Sequence, residues 1–70
     1  MSKVLDVGIN FVRIEDYEGD VYTFKSSIDV VKDDRVVEDI KRLALNFIDE
    51  WDVDSLYTLY KKGWFLASIE

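Results

Sequence analysis

Two short acidic runs hold the residue types that could do chemistry. Glu15-Asp16-Tyr17-Glu18-Gly19-Asp20 has four carboxylates within six residues, and Asp52-Val53-Asp54 has two at alternate positions. Calcium loops present their oxygen ligands in this alternating way. Such a loop also needs a glycine at its sixth position and a glutamate at its twelfth, and neither run has them. The chain has no histidine and no cysteine, which rules out Ser-His-Asp and Cys-His sites and removes the usual zinc ligands. Its three glycines lie far apart and none precedes a Lys-Ser or Lys-Thr pair, so there is no phosphate-binding loop. A carboxylate pair for glycoside chemistry needs a cleft, which seventy residues can hardly wall. The expectation is a protein that is not an enzyme, with no catalytic residues, no metal and no cofactor.

Recognition by charge is the chemistry that remains. Glu15, Asp16, Glu18 and Asp20 read as an anionic prong around Tyr17, an aromatic of the kind enriched at interface centres. Carboxylates this close repel one another by up to roughly 1 kcal/mol per pair near water. The plain alternative is a solvated turn. A second acidic group follows a helix, with Glu38, Asp39, Asp49 and Glu50 continued by Asp52 and Asp54. Together with the prong it would form a row of carboxylates that imitates a nucleic-acid backbone. Arg35, Lys41 and Arg42 interrupt that row, and Glu38–Arg42 is an i,i+4 pair that supports the helix, so an ordinary mixed-charge face is the alternative. A third feature is apolar: Leu45 together with Trp64, Phe65, Leu66 and Ile69 forms a possible self-interface.

These residues must be positioned by a small α+β scaffold. From Asp33 to Trp51 the apolar residues Val36, Val37, Ile40, Leu43, Ala44, Phe47, Ile48 and Trp51 recur in steps of one, three and four, on one stripe of a helix. Leu45 lies opposite that stripe. Asp33 or Asp34 can cap the helix start. From Lys3 to Glu15 the alternation changes parity between Leu5, Val7, Ile9, Phe11 and Val12, Ile14. One long strand with a bulge is favoured, with a turn at Gly8-Ile9-Asn10 as the alternative. Glu15 to Lys25 reads as a hairpin around Gly19, with Tyr22 and Phe24 facing the same side as Val12 and Ile14. Ile28, Val30 and Val31 fit either a third strand or a helical turn. Val53, Leu56, Tyr57 and Tyr60 predict a short second helix that ends at Gly63. The apolar tail Trp64 to Ile69 fits a further strand, an arm docked in the core, or a contact with another subunit.

The expected architecture is a β-hairpin or three-stranded antiparallel sheet packed against one long amphipathic helix, with the short helix and tail closing the side. The core would take Ile9 or Phe11, Val12, Ile14, Tyr22, Phe24, Ile40, Leu43, Phe47, Ile48 and Leu56. The chain reads as one domain near the lower size limit for folding alone. Its first residues contain no long apolar run and no segment approaches the length of a membrane span, so a cytoplasmic protein is expected.

The net charge is −6, which argues against a phosphate-binding surface and suits either solubility or a basic partner. Two functions fit these features. One is a small acidic protein that blocks a basic, nucleic-acid-binding surface of a larger protein without touching nucleic acid or membrane itself. In general build the chain resembles small inhibitors encoded by phages and mobile elements, a likeness of type that no motif carries. The other is a structural or regulatory module that pairs with itself through the tail as a homodimer.

Overall fold

The computed structural model describes residues 2–26 and 34–70. In chain order they form β1 (Lys3–Val7), β2 (Phe11–Glu15), β3 (Val21–Ser26), α1 (Asp34–Glu50), α2 (Val53–Lys61) and β4 (Trp64–Ile69). The strands make an antiparallel sheet in the order β1-β2-β3-β4, and the two helices pack on one face of it. This is the expected α+β class, with one sheet of four strands. The alternatives considered for Ile28, Val30 and Val31, and the cap by the Asp33 or Asp34 side chain, lie outside the described residues.

The β2–β3 hairpin follows the parity of its sequence. Val12 pairs with Phe24 and Ile14 with Tyr22, and all four are buried under the helices. The single long strand expected from Lys3 to Glu15 is a correction. The chain turns at Gly8-Ile9-Asn10 and β1 folds back on β2. This resolves the conflict of parity, because the two apolar sets no longer share one strand. A bulge at Leu5 then lets Val4 and Val7 both face the core despite their odd spacing. Ile9 is left on the turn, 62% exposed, and Phe11 is half-buried on the outer face. The Phe11 ring lies over Gly8, where any Cβ would run into it.

Most of the α1 stripe is buried as its spacing requires: Ile40, Leu43, Ala44, Phe47 and Ile48 all face the core. Phe24 and Phe47 meet edge to face with centroids 6.5 Å apart, an arrangement that places a positive ring edge on a negative ring face. Trp51 departs from the stripe. It adopts φ 54, which ends the helix and turns the indole outward, 64% exposed. An edge contact to Phe47, with centroids 5.5 Å apart, covers part of it.

In α2 the Asp52 carboxylate accepts the Asp54 N–H at 3.1 Å and the Ser55 hydroxyl at 2.9 Å. Reaching that cap turns Ser55 inward, so the buried face is Ser55 and Leu59. Val53, Tyr57 and Tyr60, whose spacing predicts the helix, are all more than half exposed. Leu56 is half-buried against the core. Because α2 folds back along α1, it also gives cover on a second side, and Leu45 packs against the core instead of standing opposite it. Gly63, at φ 88, takes the left-handed turn that leads from α2 into β4.

The tail is the fourth strand, paired antiparallel with β3. Trp64 opposite Ser26 is buried, and Leu66 opposite Phe24 packs on the core. The register shifts between Thr23 and Phe24, which leaves Ala67 as a bulge.

Candidate functional site

The antiparallel topology gives the molecule two unlike ends. At one end lie the start of β1, the β2–β3 turn and the finish of β4. Lys3 pairs with Glu15, and Val21 and Glu70 exchange two backbone hydrogen bonds of 2.7 and 2.8 Å. The Ser2 hydroxyl donates to the Asp49 carboxylate, which brings the finish of α1 to this same end. Asp52 and Asp54 follow at the start of α2. Among the described residues, Glu15, Asp16, Glu18, Asp20, Asp49, Glu50, Asp52, Asp54 and Glu70 thus belong to this end of the sheet, where Lys3 pairs with Glu15. The opposite end carries Lys25 near the finish of β3, with Lys61 and Lys62 where α2 runs into β4.

Within this acidic pole the carboxylates do different work. Asp16 builds the turn, since its Oδ1 accepts the backbone N–H of both Glu18 and Asp20 at 2.9 Å. The Tyr22 hydroxyl also hydrogen-bonds it, and Tyr22 is held above its usual pKa of 10.0, first by burial and then by the charge of Asp16. Glu15 lies on the outer sheet face 3.5 Å from the Lys3 ammonium. Asp49 is held by Ser2 and Asp52 by its capping bonds. Glu18, Asp20, Glu50, Asp54 and Glu70 are exposed, as is Asp49, so these members can meet a partner.

Two aromatics rise from the same pole. Tyr17, at the tip of the turn, is 78% exposed. Its pKa is raised by its hydrogen bond with Glu18, then by the charges of Glu18 and Asp16. Trp51 stands between Glu50 and Asp52. Sequence reasoning placed Trp51 last on the apolar stripe of the helix, because helical spacing continues through it. The signal that it leaves the helix is the Asp52-Val53-Asp54 run that follows, where a new helix is capped.

The topology does not bring Glu38 and Asp39 to this pole. They lie in the first half of α1 and pair within it, Glu38 with Lys41 at 3.1 Å and Asp39 with Arg42 at 3.6 Å. These i,i+3 pairs replace the expected Glu38–Arg42 pair. Of the possible self-interface residues, Trp64 is buried and Leu45 and Leu66 pack on the core, while Phe65 and Ile69 stay exposed, by 39% and 54%.

Among the described residues, no three carboxylates are arranged to hold a metal ion. No described helix is long and apolar enough to cross a membrane. No family model, no curated protein and no solved structure matches the chain.

Proposed function

We propose that this chain is a small acidic binding protein that occupies a basic, nucleic-acid-binding surface on a larger protein. The observation that carries the reading is the placement of nine carboxylates at one end of the sheet, from a turn, two helix termini and strand ends. Charges within about one screening length, ~8 Å at physiological salt, act on a partner together. A field of this kind steers a cationic surface into contact and raises the encounter rate by roughly ten- to a thousandfold. Tyr17 and Trp51 supply anchors beside the charges, large amphipathic side chains whose burial adds affinity that does not depend on salt. The mechanism is steering by the acidic field, then seating of the two aromatics.

The test is capture of a partner from the native host's lysate with the tagged protein, followed by charge reversal. Glu18, Asp20, Glu50 and Asp54 are all changed to lysine in one variant, and Glu38 and Asp39 in a control. The expected result is one basic protein, released by moderate salt, lost by the first variant and kept by the second. Its binding to nucleic acid should fall when the wild-type chain is added. Equal capture by both variants, or a captured protein that still binds nucleic acid normally, would end this reading.

A further inference from the structure

We infer that two copies of this chain pair through β4, antiparallel, so that their sheets continue into one another. The inference goes beyond the acidic-pole reading and stands on other residues. Among the described residues, no strand pairs with the far side of β4. Val21 and Glu70 exchange both of their hydrogen bonds, so the alternation of an antiparallel ladder points the N–H and C=O of Ile69 away from β3. An edge of this kind is a template for another strand. Proteins usually discourage such pairing with charge, proline or a bulge. The other edge, β1, has Lys3, Asp6 and a bulge at Leu5. By contrast β4 reads Trp-Phe-Leu-Ala-Ser-Ile, with no charge and no proline, and the bulge at Ala67 is its sole device.

A second copy is the occupant because the two ends of the molecule carry opposite charge. β4 starts beside Lys61, Lys62 and Lys25 and finishes beside Glu70 and Asp20. Antiparallel pairing about a two-fold axis sets the start of one β4 against the finish of the other. Paired strands lie about 4.8 Å apart, so the lysines of each copy come to rest beside the carboxylates of the other. A parallel arrangement would set acid against acid. The same reversal lets one strand serve as its own complement, as an isologous contact requires. Phe65 and Ile69, exposed in the single chain, gain neighbours along the seam.

The experiment is sedimentation equilibrium of the wild-type chain over a concentration series, at low and high salt, beside Ala67→Lys and Ile69→Lys. Both positions are exposed, and far-UV circular dichroism checks that the variants stay folded. The expected result is a monomer–dimer equilibrium that weakens as salt rises. Each lysine should weaken it further by at least about tenfold, because a charge is then set into an apolar seam. Amide exchange on the wild type gives a readout that needs no variant, since the Ile69 N–H should gain protection only at concentrations where dimer forms. A wild-type chain that stays monomeric throughout would overturn the inference. So would a dimer indifferent to both lysines, one strengthened by salt, or concentration-dependent protection confined to β1.

Discussion

Replacing Trp51 separates two properties that its position combines, a helix stop and an exposed aromatic. At φ 54 a side chain with a Cβ crowds the following carbonyl, which costs roughly 1–2 kcal/mol that glycine avoids. The indole is 64% exposed, so about a third of it is covered. For a side chain that buries up to ~250 Å², that is ~80 Å², worth about 2 kcal/mol at ~25 cal/mol per Å². The edge contact with Phe47 is part of this cover. Trp51→Ala gives up the covered area and keeps the strain, for an expected loss of about 2 kcal/mol. Trp51→Gly gives up the same area and relieves the strain, but loosens the unfolded chain by roughly 0.5–1 kcal/mol. Glycine should therefore exceed alanine by about 0.5–1 kcal/mol at this position, the reverse of their order inside a helix. Urea unfolding followed by far-UV circular dichroism resolves that gap. With a slope of about 1 kcal/mol per molar for a domain this small, the midpoints should differ by roughly 0.5–1 M. An alanine variant at least as stable as the glycine variant would refute the claim that left-handed geometry ends α1. The same two proteins test the interface: both should lose partner capture, and full retention would remove Trp51 from the contact surface.

Two further predictions concern the turn at the acidic pole. Asp16→Ala should cost about 2 kcal/mol in urea unfolding, because it leaves two backbone N–H groups and the Tyr22 hydroxyl without their acceptor, whereas Glu18→Ala and Asp20→Ala should stay within about 0.5 kcal/mol. Equal losses in all three would mean that charge relief, and not the hydrogen bonds, governs the turn. Tyr22 sets a pH dependence. Its folded pKa lies above the ordinary 10.0, so the neutral phenol is favoured in the native state. The stability this gives is complete below pH 10 and is lost as pH climbs through the raised value. Tyr22→Phe should flatten that alkaline fall in stability, and curves that stay parallel to wild type would show that other groups cause it.

The fold was legible wherever sequence period and environment agreed. Val12, Ile14, Tyr22 and Phe24 alternate, and a hairpin with one covered face needs that alternation. Ile40 to Ile48 repeat at helical spacing, and the face they share is the one that packs. Where one residue had to serve two demands, reading by period failed. Trp51 continues the helical spacing, but backbone geometry at a helix end overrides side-chain preference. Ser55 is polar yet buried, because its cap with Asp52 turns it inward, while the tyrosines beside it have apolar rings and wet surroundings. The split of β1 from β2 ranked second to a bulged strand because Gly8-Ile9-Asn10 contains no standard turn pair. The acidic residues and their union with the prong were expected from the sequence, but which of them would share one end was not. The sharing arises because the starts and finishes of distant elements meet at one end of a sheet, and no local pattern records that. For the same reason, Glu38 and Asp39 looked equivalent to Asp49 and Glu50 until the helix was placed.

The order of the strands also bears on how the chain finds its shape. β3 receives one neighbour through a five-residue turn and the other only after two helices have intervened. The entropy of closing a loop rises with its length, so the β1–β2–β3 meander and the helices can assemble before β4 returns. Until it does, Phe24 and Leu59 have lost part of their cover, and a strand without charge is loose beside an open edge. The β3–β4 pairing is the longest-range strand pairing in the sheet, and so the one whose closure costs the most chain entropy. Strand exchange between two molecules would use the same β3–β4 register that closes one.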